Sequence, residues 1–312
     1  MERPLTMARL PESITRNLRL PLIAAPMLLV SGPDLVIAAS RAGAIGSFPT
    51  KNCRTVDELE RWLARMQAET EGRAPFAPNL IVHKTNTRLD ADTRLVEKYQ
   101  PAMVITSVGS PAPVMDRLHA AGVVVFADVA SMRHVERAIE AGVDGLILLT
   151  AGAGGQTGWA NPFAFVRAVR SVFDGPVVLA GGVADGVALN AAIALGCDLA
   201  YMGTRFIATQ ESLAADRYKE MLVRSTLDDI VLSRALTGLE TNLLRPSVES
   251  AGMDPTLVGT LDAGAGSGIT ANAPRRWKDI WSAGHTVAQV NDVPRVADLV
   301  DRLAAEYAAA RR

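Results

Sequence analysis

The sequence predicts an α/β fold: a closed (β/α)8 TIM barrel with an appended C-terminal helical region. Three observations carry this. Eight short apolar runs recur between Pro21 and Met202. They are nearly continuously apolar rather than alternating, as strands buried on both faces are. Amphipathic stretches separate them with short connections, the pattern of a parallel sheet. Eight such units in roughly 210 residues fit a closed barrel better than a doubly wound open sheet, which usually has fewer strands.

The expected strands are, in order, Pro21–Met27, Ala44–Phe48, Ala77–Val82, Met103–Ser107, Val123–Ala127, Gly145–Leu149, Pro176–Ala180 and Leu199–Met202. Helical spacing appears between them. Val56, Leu59, Leu63 and Met66 share one face of Val56–Gln67, and Met132, Val135 and Ile139 share one face of Met132–Ala141. Gly186–Leu195 is a third, Ala- and Leu-rich helix. Ala42-Gly43, Ala121-Gly122 and Ala141-Gly142 mark helix ends, because glycine there adopts the left-handed conformation that closes a helix. The regularity stops near Thr209. Ser212–Arg224 and Leu227–Leu236 read as helices, Gly259–Gly268 as a glycine-rich stretch, and Val293–Arg311 as a last amphipathic helix. The expected organisation is a barrel and its closing helix over 1–210 and 277–312, with 211–276 as an appendage at the C-terminal rim. That appendage reads equally well as a lid or as a packing and dimerisation element.

Composition narrows the function. The 312 residues are 49% hydrophobic and 21% charged, with a formal net charge of -1. Near-neutral charge and 5% aromatics give no basis for nucleic-acid binding. No apolar run reaches the roughly 18 residues of a membrane span, and the first residues lack a signal-peptide core. Cys53 and Cys197 make no disulfide framework, so a cytoplasmic setting is the default expectation. A small-molecule substrate is expected, and a homo-oligomer is compatible with everything above. No His or Cys spacing suits a metal, and no Gly-x-Ser-x-Gly elbow is present.

In such a barrel the chemistry lies on loops after the C-terminal ends of the strands. The seventh strand leads into Gly181-Gly182-Val183-Ala184-Asp185-Gly186, and the eighth, Tyr201-Met202, into Gly203-Thr204-Arg205. Glycines leave backbone N–H groups open, so these adjacent turns make an anion cradle suited to a phosphate. Thr204 adds a hydroxyl. The sixth strand leads into Thr150–Trp159, with glycines at 152, 154, 155 and 158. A run without Cβ atoms suits a loop lying flat against a planar group, although flexible loops also collect glycines. Pro26-Met27 after the first strand presents backbone and a soft side chain to a ring, or is ordinary core. Asn79 is an amide within an apolar strand, whose partner is either a ligand or a neighbouring strand. Asp128 ends the fifth strand as a ligand contact or an ion-paired structural acid. His83 follows the third strand, on the same rim, while His285 lies in the distal segment.

Taken together, Pro21–Met27, Asn79, Gly154-Gly155, Gly181–Gly186 and Met202–Phe206 resemble the nitronate monooxygenases, formerly called 2-nitropropane dioxygenases. The family is similar to flavin reductases that include bacterial enoyl reductases. The resemblance runs from about Pro21 to Gln210 and resumes weakly over Trp277–Val290 and the final helix. It implies FMN at the barrel mouth. The phosphate would sit on Gly182, Gly203 and Thr204, and the isoalloxazine over Pro26-Met27, with Asn79 and Gly154 contacting the ring system or the ribityl chain; Asp128, Gly155, Gly181, Tyr201 and Met202 are further cofactor-binding candidates. The implied activity is oxidation of an alkyl nitronate with O2. The alternative is NAD(P)H-dependent reduction of a quinone or an activated C=C. The sequence departs from the family twice. Gln156 stands where relatives carry the catalytic His, and Leu149 where many carry a flavin-contacting Gln. Glutamine exchanges hydrogen bonds but takes no proton near neutral pH. That leaves His83 or His285 as the bases to consider.

Overall fold

A computed structural model describes residues 9–236, 238–255 and 278–312. Eight parallel strands close into a barrel: β1 (Leu22–Ala24), β2 (Ile45–Pro49), β3 (Phe76–Ile81), β4 (Met103–Ser107), β5 (Val124–Val129), β6 (Gly145–Leu149), β8 (Val177–Ala180) and β9 (Leu199–Met202). β9 returns to β1, pairing Ile23 with Tyr201. The (β/α)8 expectation holds. All eight strands fall within the expected runs or shift by one or two residues.

Helices occupy the strand-to-strand connections: α2 (Pro33–Ala42), α3 (Val56–Glu69), α4 (Leu89–Tyr99), α5 (Ala112–Ala120), α6 (Met132–Glu140), α7 (Pro162–Arg170) and α8 (Gly186–Leu195). A short helix α1 (Glu12–Thr15) precedes β1, and α9 (Thr204–Ile207) follows β9. Side-chain caps start several of them. Thr55 accepts from the Glu58 amide, Ser131 from His134, and Asp185 from Ala188. Gly43 closes α2 in the left-handed conformation at φ 92°.

The period of two along each strand divides the core into two layers. Outward residues such as Leu22, Leu80, Val104, Leu146 and Met202 pack beneath the helices. Inward residues, among them Ile23, Ile45, Ile105, Phe126, Ile147 and Val178, fill the barrel interior with Leu10 and Ile14. On seven of the eight strands the next inward residue opens onto the C-terminal mouth, and this alternation places the site.

The chain then departs from the expected helical appendage. After α10 (Asp216–Arg224), a 3-10 turn (Leu227–Asp229) leads into β10 (Ile230–Ser233), which pairs antiparallel with β11 (Thr241–Leu244). The expected helix over Leu227–Leu236 does not form. Ile230-Val231-Leu232-Ser233 alternates partly buried, buried, exposed and buried, a strand pattern with two β-branched residues. β11 also pairs with β7 (Gly155–Gln156), a two-residue strand inside the loop after β6. The 211–255 segment is therefore hydrogen-bonded directly to a barrel loop. Helix α11 (Arg245–Ser250) follows. The last helix, α12 (Val296–Ala310), packs Val296, Leu299, Val300 and Leu303 into the outer barrel core. The glycine-rich stretch Gly259–Gly268 lies outside the described residues.

Candidate active site

The inward residues at the strand ends floor a cavity of ≈ 260 Å³ at the barrel mouth. Ala25, Asn79, Ser107, Asp128, Leu149, Ala180 and Tyr201 form the floor. Loops Pro26–Leu28, Gly152–Gln156, Gly181–Val183 and Gly203-Thr204 form the rim. Val30, Ile207, Tyr218 and Trp281 add an apolar wall from outside the barrel.

The loop after β1 is fastened from below. The Met27 amide donates to Ser31 Oγ at 3.0 Å, and that hydroxyl donates to the Ala25 carbonyl. Asn52 donates to the carbonyls of Met27 and Ser31 at 3.0 and 2.8 Å. Pro26 and Met27 therefore line the cavity in a fixed loop. After β4, Val108 holds φ at 57° beside the cavity, an uncommon conformation for a β-branched residue.

Two adjacent turns form the proposed anion cradle. Among the described turn and loop bonds, the amides of Gly182, Gly203 and Thr204 donate to no backbone carbonyl. Gly182 has φ +80° and lines the cavity, and a Cβ there would meet nothing within 4 Å. The Thr204 hydroxyl accepts from the Gly284 amide at 2.8 Å and keeps its own proton to donate. The neighbouring cation, Arg205, turns away and pairs with Asp292 at 2.6 Å.

Three of the glycines after β6 make room for the chain itself, while Gly152, Gly154 and Gly155 also line the cavity. A Cβ on Gly152 would lie 3.0 Å from the His285 ring, on Gly154 2.7 Å from the Gly284 amide, and on Gly158 2.0 Å from the Leu149 carbonyl. These positions are filled by the chain itself. Segment 283–285 lies on the loop, with the His285 amide donating to Gly152 O at 2.9 Å. Asn242 of β11 secures the same loop by donating to Ala153 O at 2.7 Å. Gln156 is held by its β11 pairing and has no side-chain partner among the described residues.

Asn79 finds its partners on the neighbouring strand, donating to Ser107 Oγ at 3.0 Å and to Ile105 O at 3.3 Å. Among the described residues Asp128 has no ion pair. One carboxylate oxygen is buried without a hydrogen-bond partner, as is the Tyr201 hydroxyl. Burial pushes the Asp128 carboxyl up to about 7. Burial and the nearby Asp128 also hold the Tyr201 phenol well above its ordinary range. The expected residues Pro26, Met27, Asn79, Asp128, Gly154, Gly155, Gln156, Gly181, Gly182, Tyr201, Gly203 and Thr204 all line this one cavity. Met202 does not. The period of two turns it into the outer core, where it is 1% exposed. His83 and His285 are exposed and lie outside the lining. Both cysteines are buried, and burial raises their thiols to about 12. Among the described residues no cluster of His, Cys, Asp and Glu could hold a metal, and no helix is long and apolar enough to cross a membrane.

Sequence reasoning missed the distal wall. Trp281 stacks on Tyr218 with ring centroids 4.9 Å apart, and the Tyr218 hydroxyl donates to Ser282 O. The only signal for this wall was the faint return of family resemblance near Trp277.

The nitronate monooxygenase family profile matches residues 88–306, more than half of the chain. The chain belongs to the nitronate monooxygenase family. It is accordingly an enzyme, an oxidoreductase of a flavin-using family. It is 26% identical to a nitronate monooxygenase of Paraburkholderia phytofirmans, over 92% of each chain. Equal identity and coverage relate it to a Rhodococcus jostii dehydrogenase named for a hydroxy-methyl-oxo-octahydroindene carboxyl-CoA. Among solved structures, FabK from Thermotoga maritima matches at 25% identity and TM-score 0.78 over 96% of each chain. A nitroalkane oxidase from Streptomyces ansochromogenes shares the fold at 24% identity and TM-score 0.83, over 96% of this chain and 99% of that one.

The free amides, the open space at Gly182 and the orphaned polar atoms of the floor fit a bound phosphorylated ring compound. A phosphate at Gly182, Gly203 and Thr204 would be held by backbone dipoles. No Lys, Arg or His lines the cavity among the described residues.

Proposed function

We propose that the protein is an FMN-dependent oxidoreductase acting on a neutral substrate with a carbonyl-activated C–C or C=C bond, of the acyl-thioester kind. The observation that carries this is the chemistry of the lining. Among the described residues it offers no cation to an anionic substrate, and its sole carboxyl, Asp128, is raised to about 7. A nitronate would enter without a counter-ion, and a neutral nitroalkane would find no histidine. A carbonyl oxygen needs only a hydrogen-bond donor, and the Gln156 amide is a free donor at the rim.

Bound FMN would supply hydride acceptance or donation. The protein's own residues do the rest. The turns at Gly182 and Gly203-Thr204 hold the phosphate, and the Pro26-Met27 loop shapes the face of the site. Gln156, fixed by β11, polarises the substrate oxygen. Tyr218 and Trp281 exclude water from the apolar side. The named CoA dehydrogenase and FabK relatives support this reading.

The second reading is nitronate oxidation with O2, favoured by the family and by the Paraburkholderia relative. Anaerobic mixing of the FMN-loaded protein separates the two. Bleaching by NADH or NADPH, with colour restored by a crotonyl thioester, is the expected result. Bleaching by propyl nitronate but by neither nicotinamide would establish the second reading instead.

A further inference from the structure

Two polar atoms at the bottom of the cavity have no hydrogen-bond partner among the described residues. The Asp128 carboxyl rises from β5 and the Tyr201 hydroxyl from β9, and each has a buried oxygen without a partner. Both stand at inward positions, one pleat above Phe126 and Leu199. Buried polar groups are ordinarily hydrogen-bonded, so a floor that keeps two of them unpaired is built for something else to bind.

Their surroundings fix their character. The elements packed against Asp128 bring Thr106 and Ser107 from β4, Ile147 and Leu149 from β6, Asn79 from β3 and Tyr201 from β9. Of these only Tyr201 titrates, and it stays protonated. The remaining titratable group of the lining is Tyr218, whose proton is committed to Ser282 O. His134 lies beyond the end of β5, where its Nδ1 accepts from the Ala130 amide.

We propose that Asp128, as the uncharged acid, and Tyr201 form a two-donor floor that recognises hydrogen-bond acceptors on the edge of a neutral planar ring and rejects an anionic one. This rests on the FMN reading above and deepens it. The carboxylic O–H and the phenolic O–H both donate, as the two carbonyls of a uracil-like edge require, and the second carboxyl oxygen is an acceptor for the N–H between them. Ionised Asp128 would offer only acceptors and would repel those carbonyls. The proton on Asp128 thereby makes ring binding sensitive to pH near neutrality.

The test is a fluorescence titration of the cofactor-free protein with FMN between pH 6.5 and 8.5, for the parent, Asp128→Asn and Tyr201→Phe. If only the protonated acid binds, affinity falls about tenfold per pH unit above 7, or roughly 30-fold by pH 8.5. Asparagine keeps a neutral donor, so Asp128→Asn should bind FMN nearly equally at both pH values. Its residual slope reports the phosphate's own titration. Tyr201→Phe should weaken binding at both ends while keeping the parent's pH slope. A parent slope no steeper than that of Asp128→Asn would overturn the two-donor floor and leave the FMN reading standing. Failure of the parent to bind FMN at any pH would overturn the FMN reading itself and this floor with it.

Discussion

Gly182 in the turn after β8 and Gly154 and Gly158 in the loop after β6 read alike in sequence and have opposite surroundings. At Gly182 an added Cβ would meet nothing within 4 Å. At Gly154 and Gly158 it would strike the chain's own backbone at 2.7 and 2.0 Å. Gly182 leaves open space at the rim, whereas a Cβ on Gly181 beside it would meet Thr150 Oγ1 at 2.7 Å. The β6 loop keeps space for residues 283–285 and for the Leu149 carbonyl, while β11 pairs with Gln156 at the rim. A glycine that admits a ligand and one that admits the chain differ only in what occupies the missing side chain's place.

Substitution should pull the two regions apart. The largest effect is expected at Gly158→Ala. Its methyl group would overlap the Leu149 carbonyl, and overpacking of this kind costs about 1–3 kcal/mol or more. Urea unfolding should show a clear loss of midpoint, and an unchanged midpoint would break the contrast. Next is Gly182→Val, the counterpart on the open side. Left-handed backbone costs a non-glycine residue roughly 1–2 kcal/mol, so stability should fall only modestly. FMN affinity should fall by more than tenfold, because the side chain stands where the phosphate would sit.

This contrast also marks how far the sequence could be read. The barrel was legible because strands buried on both faces are continuously apolar, and period two placed Asp128 and Tyr201 inward once the strand ends were known. The glycine pattern identified both turns but could not say what filled them. That is decided by residues 130 positions away, such as Gly284 against Gly154. Leu227–Leu236 was misread because a single exposed face looks similar at periods of two and 3.6 over so few residues. β7 was invisible because two residues carry no periodicity, and its pairing with Thr241 and Asn242 is entirely tertiary.

Smaller effects sharpen the account of the floor and the rim. Gln156→His should raise turnover of neutral nitroalkanes, with a rate that climbs through the ordinary histidine range near pH 6.5 as the imidazole loses its proton. Equal rates for variant and parent would place residue 156 away from the reacting carbon. For Asp128 the stability effect has an unusual sign. Its folded pKa, about 7, lies above the ordinary 3.8 of the unfolded chain. Between those values the folded state holds a proton that the unfolded state has lost, so stability contributed by this group falls as pH rises from about 4 to 7 and stays low above. Asp128→Asn should therefore unfold at a higher temperature than the parent at pH 8 and at nearly the same temperature at pH 4. A difference that is the same at both pH values would show that the carboxyl is not held neutral. The smallest effect is at the thiols. Cys53 and Cys197, both raised to about 12, should resist alkylation at pH 8 in the folded protein.

The most direct measurement compares FMN with riboflavin, which lacks the phosphate, by fluorescence titration of the parent and Gly182→Val. If main-chain amides at the two adjacent turns hold the phosphate, the parent binds FMN much more tightly than riboflavin, and Gly182→Val erases most of that preference. A parent that binds both flavins equally, or a variant that keeps the full preference for FMN, would contradict the account.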